Sequence, residues 1–317
     1  MHKIGLVFWN KEQKRLRTFW RLLVFFCVYT LVTLLFAFLS TFILPANTPL
    51  HLTATVVEFL CVCLMLYVGG KLLDRRSFSD FGFHINRRWL KDFIFGLGLG
   101  ALLIAAIFTT ELSLGWIQIK GFFRSFPIGE IFTLSLFKTL PLFICIGFCE
   151  EMLMRGYLLR NLAEGCNLHQ KHARTALLVA MLLSSVIFGI LHAMNPNTSL
   201  VSTVNLSLNG IFLALGFLLT GELAIPIGLH ITWNIFQGPV FGFPVSGIRT
   251  FPRMIEIQQS GPIVMTGGAF GPEAGFIGLA AIVIGSVMIC VYSKKNYKGM
   301  KLEEHLAQYH SSRTETV

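Results

Sequence analysis

The chain has 317 residues, 54% of them hydrophobic and only 13% charged, with a mean hydropathy of +0.67. Soluble domains carry about 25% charged residues, so this composition excludes a soluble globule and requires an integral membrane protein. The formal charge of +10 falls in short basic clusters between long apolar runs; that is the pattern of cytoplasmic membrane flanks, and no nucleic-acid partner is expected.

An apolar run of about 18 residues or more is a candidate transmembrane helix. Taken in order, eight are predicted: 22–44, 52–72, 93–114, 131–149, 176–194, 200–219, 224–243 and 274–292. Only Thr220, Gly221, Glu222 and Leu223 separate the sixth from the seventh. The first run is too long for a signal-peptide core and no small-residue cleavage site follows it. With the N-terminus inside, 21 of the 26 Lys and Arg residues lie on the cytoplasmic side. Lys120, Arg124, Arg249 and Arg253 lie opposite, and Lys138 falls within the fourth run. Both ends are therefore expected in the cytoplasm. The expected fold is an all-α polytopic membrane bundle of about eight helices, one domain over residues 1–317. The Gly- and Pro-rich segment 244–273 reads as a loop, and 302–317 as a loose cytoplasmic tail. Seven cysteines, an odd number without a CxxC pair, support neither a disulfide framework nor a zinc finger.

Charged and polar groups inside a bilayer are costly, and each is a functional hypothesis. Three groups look organised. In Glu150-Glu151-Met152-Leu153-Met154-Arg155, Glu151 and Arg155 stand four apart and can pair, while Glu150 is turned about 100° away and is freer to face a cavity. In Phe188-Gly189-Ile190-Leu191-His192, the first and last residues share a face, as do His230 and Asn234 in the third group. Each alone reads as a salt-bridged helix end, an interfacial histidine or a helix–helix polar contact. Together, one carboxylate, two imidazoles and one carboxamide on three helices are the parts of a hydrolytic site. The carboxylate can act as general base, one histidine can hold the water, and the second with the amide can stabilise an oxyanion.

The ordered trio Glu150-Glu151-x-x-x-Arg155, Phe188-x-x-x-His192 and His230-x-x-x-Asn234 resembles the CPBP family of intramembrane proteases. That family includes type II CAAX prenyl endopeptidases and bacteriocin-processing and bacteriocin-immunity proteins. The stretch Thr220-Gly221-Glu222-Leu223-Ala224-Ile225-Pro226-Ile227-Gly228-Leu229 is also family-like, and the likeness covers about residues 137–241, within an expected catalytic core at 131–243. The resemblance implies that Glu150 activates water and His192 hydrogen-bonds to it. It further implies that His230 and Asn234 form the oxyanion hole, and that Arg155 positions the glutamate pair, with Glu151 and Phe188 in support. Members were once classed as metalloproteases; Glu150, His192 and His230 would also suit Zn²⁺, although no HExxH is present. No required cofactor is the favoured reading, with zinc the alternative.

Placing the site raises a geometric conflict. A fourth helix ending at Cys149 would put Glu150 at the cytoplasmic face and His192 near the opposite one. The conflict eases if that helix continues to about Leu162, carrying Arg155 into the membrane with Glu151 as partner. His230 still reads as too shallow unless the turn before it dips into the protein, which is allowed where backbone lines a cavity. Glu58 and Lys138 are expected to pair across helices or line that cavity, while Glu111 and Glu222 need no special role. Cys145 and Cys149 are expected to pack.

The expected partners are the bilayer and a membrane-embedded or lipidated substrate: a prenylated CAAX protein, a leader peptide or a membrane protein. The expected location is the cell membrane of a prokaryote. Two rival readings are a non-catalytic scaffold or immunity protein on the same fold, and a proton-coupled transporter. The transporter reading lacks any visible repeat pair.

Overall fold

The structure is a computed structural model that describes residues 5–43, 50–167, 172–297 and 299–309. Expectations for Lys3, Lys171, Lys298, Arg313 and the end of the tail lie outside the described residues. The helices are α1 (Thr18–Ile43), α2 (Leu50–Gly69), α3 (Arg87–Ser113), α4 (Phe132–Glu151), α5 (Ala173–Leu191), α6 (Leu200–Thr220), α7 (Ala224–Ile235) and α8 (Phe276–Asn296). Two strands, β1 (Ile117–Arg124) and β2 (Arg253–Gln259), pair antiparallel from Ile117 opposite Gln259 to Arg124 opposite Arg253.

Local chemistry starts and stops these elements. Asn86 caps α3 by accepting from the Arg88 and Trp89 amides at 2.8 and 3.0 Å. Ser199 and Ser202 form a reciprocal capping box at the start of α6. α4 does not stop at Glu151. It continues through a π-helical stretch, Met152–Leu159, and a last α-helical piece, Arg160–Cys166, so the expected extension to about Leu162 runs four residues further.

Among the described residues, seven helices are long and apolar enough to cross a membrane. The expected seventh span, 224–243, differs. α7 has 12 residues, lengthened by the five-residue π turn Phe236–Val240, and residues 224–231 are all buried in protein. It lies alongside α3 in the same direction at very close range. A Cβ on Gly96 would sit 2.4 Å from the Ile225 carbonyl oxygen, and one on Gly228 would sit 2.4 Å from that of Phe93. Only glycine permits this approach, which Thr232 Oγ1 seals by donating to the Leu97 carbonyl at 2.8 Å.

On one side of the bundle, arginines from the N-terminal segment and from beyond α2 converge on Asp74 and Glu164. Arg15 reaches Glu164 at 2.7 Å, Arg21 reaches Asp74 at 3.3 Å, and Arg76 also pairs with Glu164. Burial lowers the Arg15 guanidinium to about 10, an effect that Glu164 opposes. The Tyr309 ring lies 3.5 Å from the Arg15 guanidinium, which places both described chain ends on this one side. The tail is not loose through residue 309. The Glu303 amide donates to the Leu218 carbonyl at 2.9 Å, Asn167 Nδ2 to the Ala307 carbonyl at 2.9 Å, and Leu306 is fully buried. On the opposite side, β1 and β2 and the polar cluster around Glu273 tie down the segment read as a loop.

Candidate active site

The register of α7 on α3 sets the depth of the third motif. Gly96 faces Ile225 and Gly100 faces Leu229 and Trp233, so α7 begins about 13 Å along α3, at 1.5 Å per residue. The turn before it is covered by protein: Leu223 is fully buried and its amide donates to the Gly82 carbonyl at 3.0 Å. This is the inward-dipping turn that His230 requires. α4 approaches from the other flank, where a Cβ on Gly147 would meet Ile231 at 2.7 Å. Glu150 sits 16 residues before the end of the continuous α4 helix at Cys166, about 24 Å at the same rise.

The two glutamates have separate environments. Glu151 is fully buried, and its Oε1 accepts from Arg155 Nη1 at 2.9 Å and from His230 Nδ1 at 2.8 Å. Arg155 also donates to the Gly210 carbonyl at 3.1 Å and lies 4.6 Å from the centre of the Phe188 ring. Phe188 thus supports the arginine as well as packing against His192, the two ring centres 4.7 Å apart and tilted by 54°. Glu150 is about a third exposed; its Oε2 stands 3.9 Å from His192 Nε2 and 3.8 Å from His230 Nε2. That oxygen is buried without a hydrogen-bond partner.

Hydrogen bonds fix the imidazole tautomers. His192 caps α5, and its Nδ1 faces the Phe188 carbonyl at 2.8 Å. A carbonyl only accepts, so Nδ1 carries the proton and neutral Nε2 presents a lone pair towards Glu150. His230 Nδ1 donates to the Glu151 carboxylate, so its Nε2 becomes a second donor only when the ring is cationic, with Glu150 and Glu151 as counter-charges. Gaps of 3.8 and 3.9 Å are too long for direct hydrogen bonds.

Glu150, His192, His230 and Asn234 all line one cavity of about 1040 Å³, whose wall is otherwise largely apolar. Glu58 and Lys138 line it too: Glu58 accepts from Tyr29 of α1 at 2.8 Å, and Lys138 pairs with Glu130. Glu111 instead anchors β2, accepting from Gln259 at 2.8 Å. Cys149 is buried and packs, as expected.

Other residues on this wall were not singled out in the sequence. Asn209 of α6 also lines the cavity, and the only signal for it was a second amide, Asn205, four residues earlier in an apolar run. On the strand side, Glu273 accepts from Gln237 Nε2 at 2.5 Å and from the Ser246 amide and hydroxyl at 3.1 and 2.9 Å. Asn195, three residues past His192, donates to the Ser246 carbonyl at 3.0 Å. This network joins the turn after His192 to the helix carrying Asn234. Burial raises the Glu273 carboxyl, with its hydrogen bonds working against that rise.

A zinc site would draw on Glu150, His192 and His230. Tetrahedral ligands about 2.0–2.1 Å from the metal lie about 3.3–3.4 Å apart, closer than the 3.8 and 3.9 Å seen here. Among the described residues, no group of three or more His, Cys, Asp or Glu is arranged to hold a metal ion. The two carboxylate–imidazole spacings as placed are about half an ångström wider than a closed zinc shell.

Residues 132–236 match the family model described as type II CAAX prenyl endopeptidase Rce1-like. The matched third of the chain contains every residue from Glu150 to Asn234 discussed above, so the likeness read in the three motifs holds for this segment. No curated protein and no solved structure matches the chain.

Proposed function

We propose that the protein is an intramembrane endopeptidase of CAAX type, cutting a peptide bond in a prenylated or otherwise membrane-associated substrate with a water activated by Glu150. The observation that carries this reading is the unpartnered Glu150 Oε2, faced by two imidazole Nε2 atoms at 3.8 and 3.9 Å inside a cavity of about 1040 Å³. The Rce1-like match over the same residues supports it.

The chemistry follows from the donors and acceptors in place. A water in the gap donates one proton towards Glu150 Oε2 and the other towards the His192 Nε2 lone pair. Glu150 takes its proton as the oxygen attacks the substrate carbonyl carbon. The oxyanion that forms accepts from the Asn234 carboxamide and from cationic His230, whose charge Glu151 and the oxyanion itself now balance. Glu150, now a carboxylic acid, returns the proton to the departing amine as the C–N bond breaks. Arg155 holds Glu151, which in turn holds His230. No step passes through a metal.

The test is cleavage of a peptide panel by the purified protein in detergent, including prenylated CAAX peptides, their unprenylated forms and leader-type peptides, with products identified by mass. Cleavage between the prenylated cysteine and the AAX tripeptide that follows it, unchanged by a zinc chelator, is expected. Loss of cleavage with chelator, restored by zinc, would contradict the metal-free mechanism. Binding of these peptides without cleavage would favour the scaffold reading.

A further inference from the structure

Asn209 is one of the polar side chains on the cavity wall that the mechanism leaves unused. Asn209 is nine-tenths buried, lines the cavity, and its Oδ1 is closed to solvent without a partner. Among the described residues, neither end of its carboxamide makes a hydrogen bond. Gln237, another buried amide, donates through Nε2 to both the Pro244 carbonyl and Glu273, although its Oε1 is likewise without a partner. An unpaired amide in an apolar wall is costly unless something else pairs with it.

Its position is defined from two sides. α6 runs antiparallel to α7, with Gly216 against Ile225 and the Phe212 ring 6.3 Å from that of Trp233. Continuing one turn brings position 209 level with the part of α7 that carries Trp233 and Asn234. On the other flank, Arg155 donates to the carbonyl of Gly210, the next residue, at 3.1 Å. The arginine that holds Glu151 therefore also fixes the turn of α6 that presents Asn209.

We infer that Asn209 is a substrate-binding residue, its carboxamide hydrogen-bonding the substrate's peptide backbone next to the bond positioned over Glu150. A carboxamide offers an N–H₂ donor and a carbonyl acceptor, complementary to the C=O and N–H of a peptide unit. The contact reads backbone rather than side chains, so it contributes to affinity for an extended peptide of any sequence. This rests on the proteolytic reading, and its test separates the two.

The experiment compares wild type with Asn209→Leu, a near-isostere without hydrogen-bonding groups, and Asn209→Gln, which keeps the carboxamide. Cleavage kinetics on a prenylated CAAX peptide, thermal unfolding in detergent, and anisotropy of the same peptide carrying a fluorophore are measured in parallel. Asn209→Leu is expected to lower kcat/KM by 10- to 100-fold, chiefly through KM, and to weaken anisotropy-measured binding by a similar factor. Its thermal midpoint is expected to stay level or rise, because an unpaired buried amide is removed. Asn209→Gln is expected to recover part of the lost affinity. KM and binding within twofold of wild type in Asn209→Leu, or a midpoint that falls in step with activity, would overturn the inference. The Glu150→Ala variant separates the two claims. If wild type cuts, Glu150→Ala does not and Asn209→Leu is unaffected, only the role of Asn209 fails. If wild type binds the peptide without cutting it, the proteolytic reading fails and anisotropy alone decides Asn209.

Discussion

Glu150 and Glu151 are adjacent in sequence and have opposite duties, because each faces a different set of partners. Glu151 is buried between Arg155 and His230, at 2.9 and 2.8 Å, and its charge is structural. Removing it leaves a buried guanidinium uncompensated, which typically costs about 3–5 kcal/mol. Glu151→Gln is therefore expected to lower the thermal midpoint sharply and abolish cleavage, whereas Glu150→Gln should abolish cleavage with the midpoint little changed. Unfolding of both variants in one detergent checks the contrast; equal midpoints would contradict it. The division between the glutamates was legible in the sequence, since Glu151 and Arg155 are spaced to share a face. The His230–Glu151 contact was not, because it joins residues 79 positions apart and depends on how α4 and α7 are packed.

At the scale of elements, the site depends on a short helix held deep in the protein by close backbone contacts. The apolar run 224–243 read as an ordinary span because hydropathy does not distinguish lipid from protein as the apolar surroundings. Gly96, Gly100 and Gly228 were the readable sign of a tight interface. The turn before α7 is also secured by Glu222, which accepts from the His84 amide at 3.2 Å and meets His84 Nδ1 at 2.8 Å. Burial raises the Glu222 carboxyl above its ordinary value, and the His84 contacts oppose that rise. A carboxyl raised in the folded state favours folding below its unfolded pKa and loses that contribution as pH rises through its folded pKa. Glu222→Gln is accordingly expected to raise the thermal midpoint relative to wild type at pH 8 and to leave it nearly equal at pH 4. A midpoint lowered equally at both pH values would instead mean that the His84 contacts dominate.

At the scale of the molecule, the membrane class, the number of apolar runs and the common side of the chain ends follow from composition and the Lys and Arg distribution. Two features do not. Polarity made residues 302–309 resemble a free tail, yet Leu306 is fully buried among residues from several helices. Leu306→Ala is expected to destabilise by about 2–5 kcal/mol, read as a lower unfolding midpoint; a change under about 0.5 kcal/mol, as at exposed sites, would mean that the tail does not hold the fold. The strand pair on the other side was unreadable as well. Its register joins Ile117 to Gln259, two short segments separated by more than a hundred residues, and nothing in either segment names its partner.

These scales meet at one oxygen atom. If Glu150 is the base that activates water, cleavage of a prenylated CAAX peptide by purified Glu150→Ala should fall to background while the protein still inserts, stays folded and binds the peptide. The measurement is product formation by mass, wild type and variant side by side at equal protein concentration. A loss of at least 10²-fold, on the scale of removing a general base, is expected. An active Glu150→Ala variant would contradict the assignment of this residue and, with it, the mechanism.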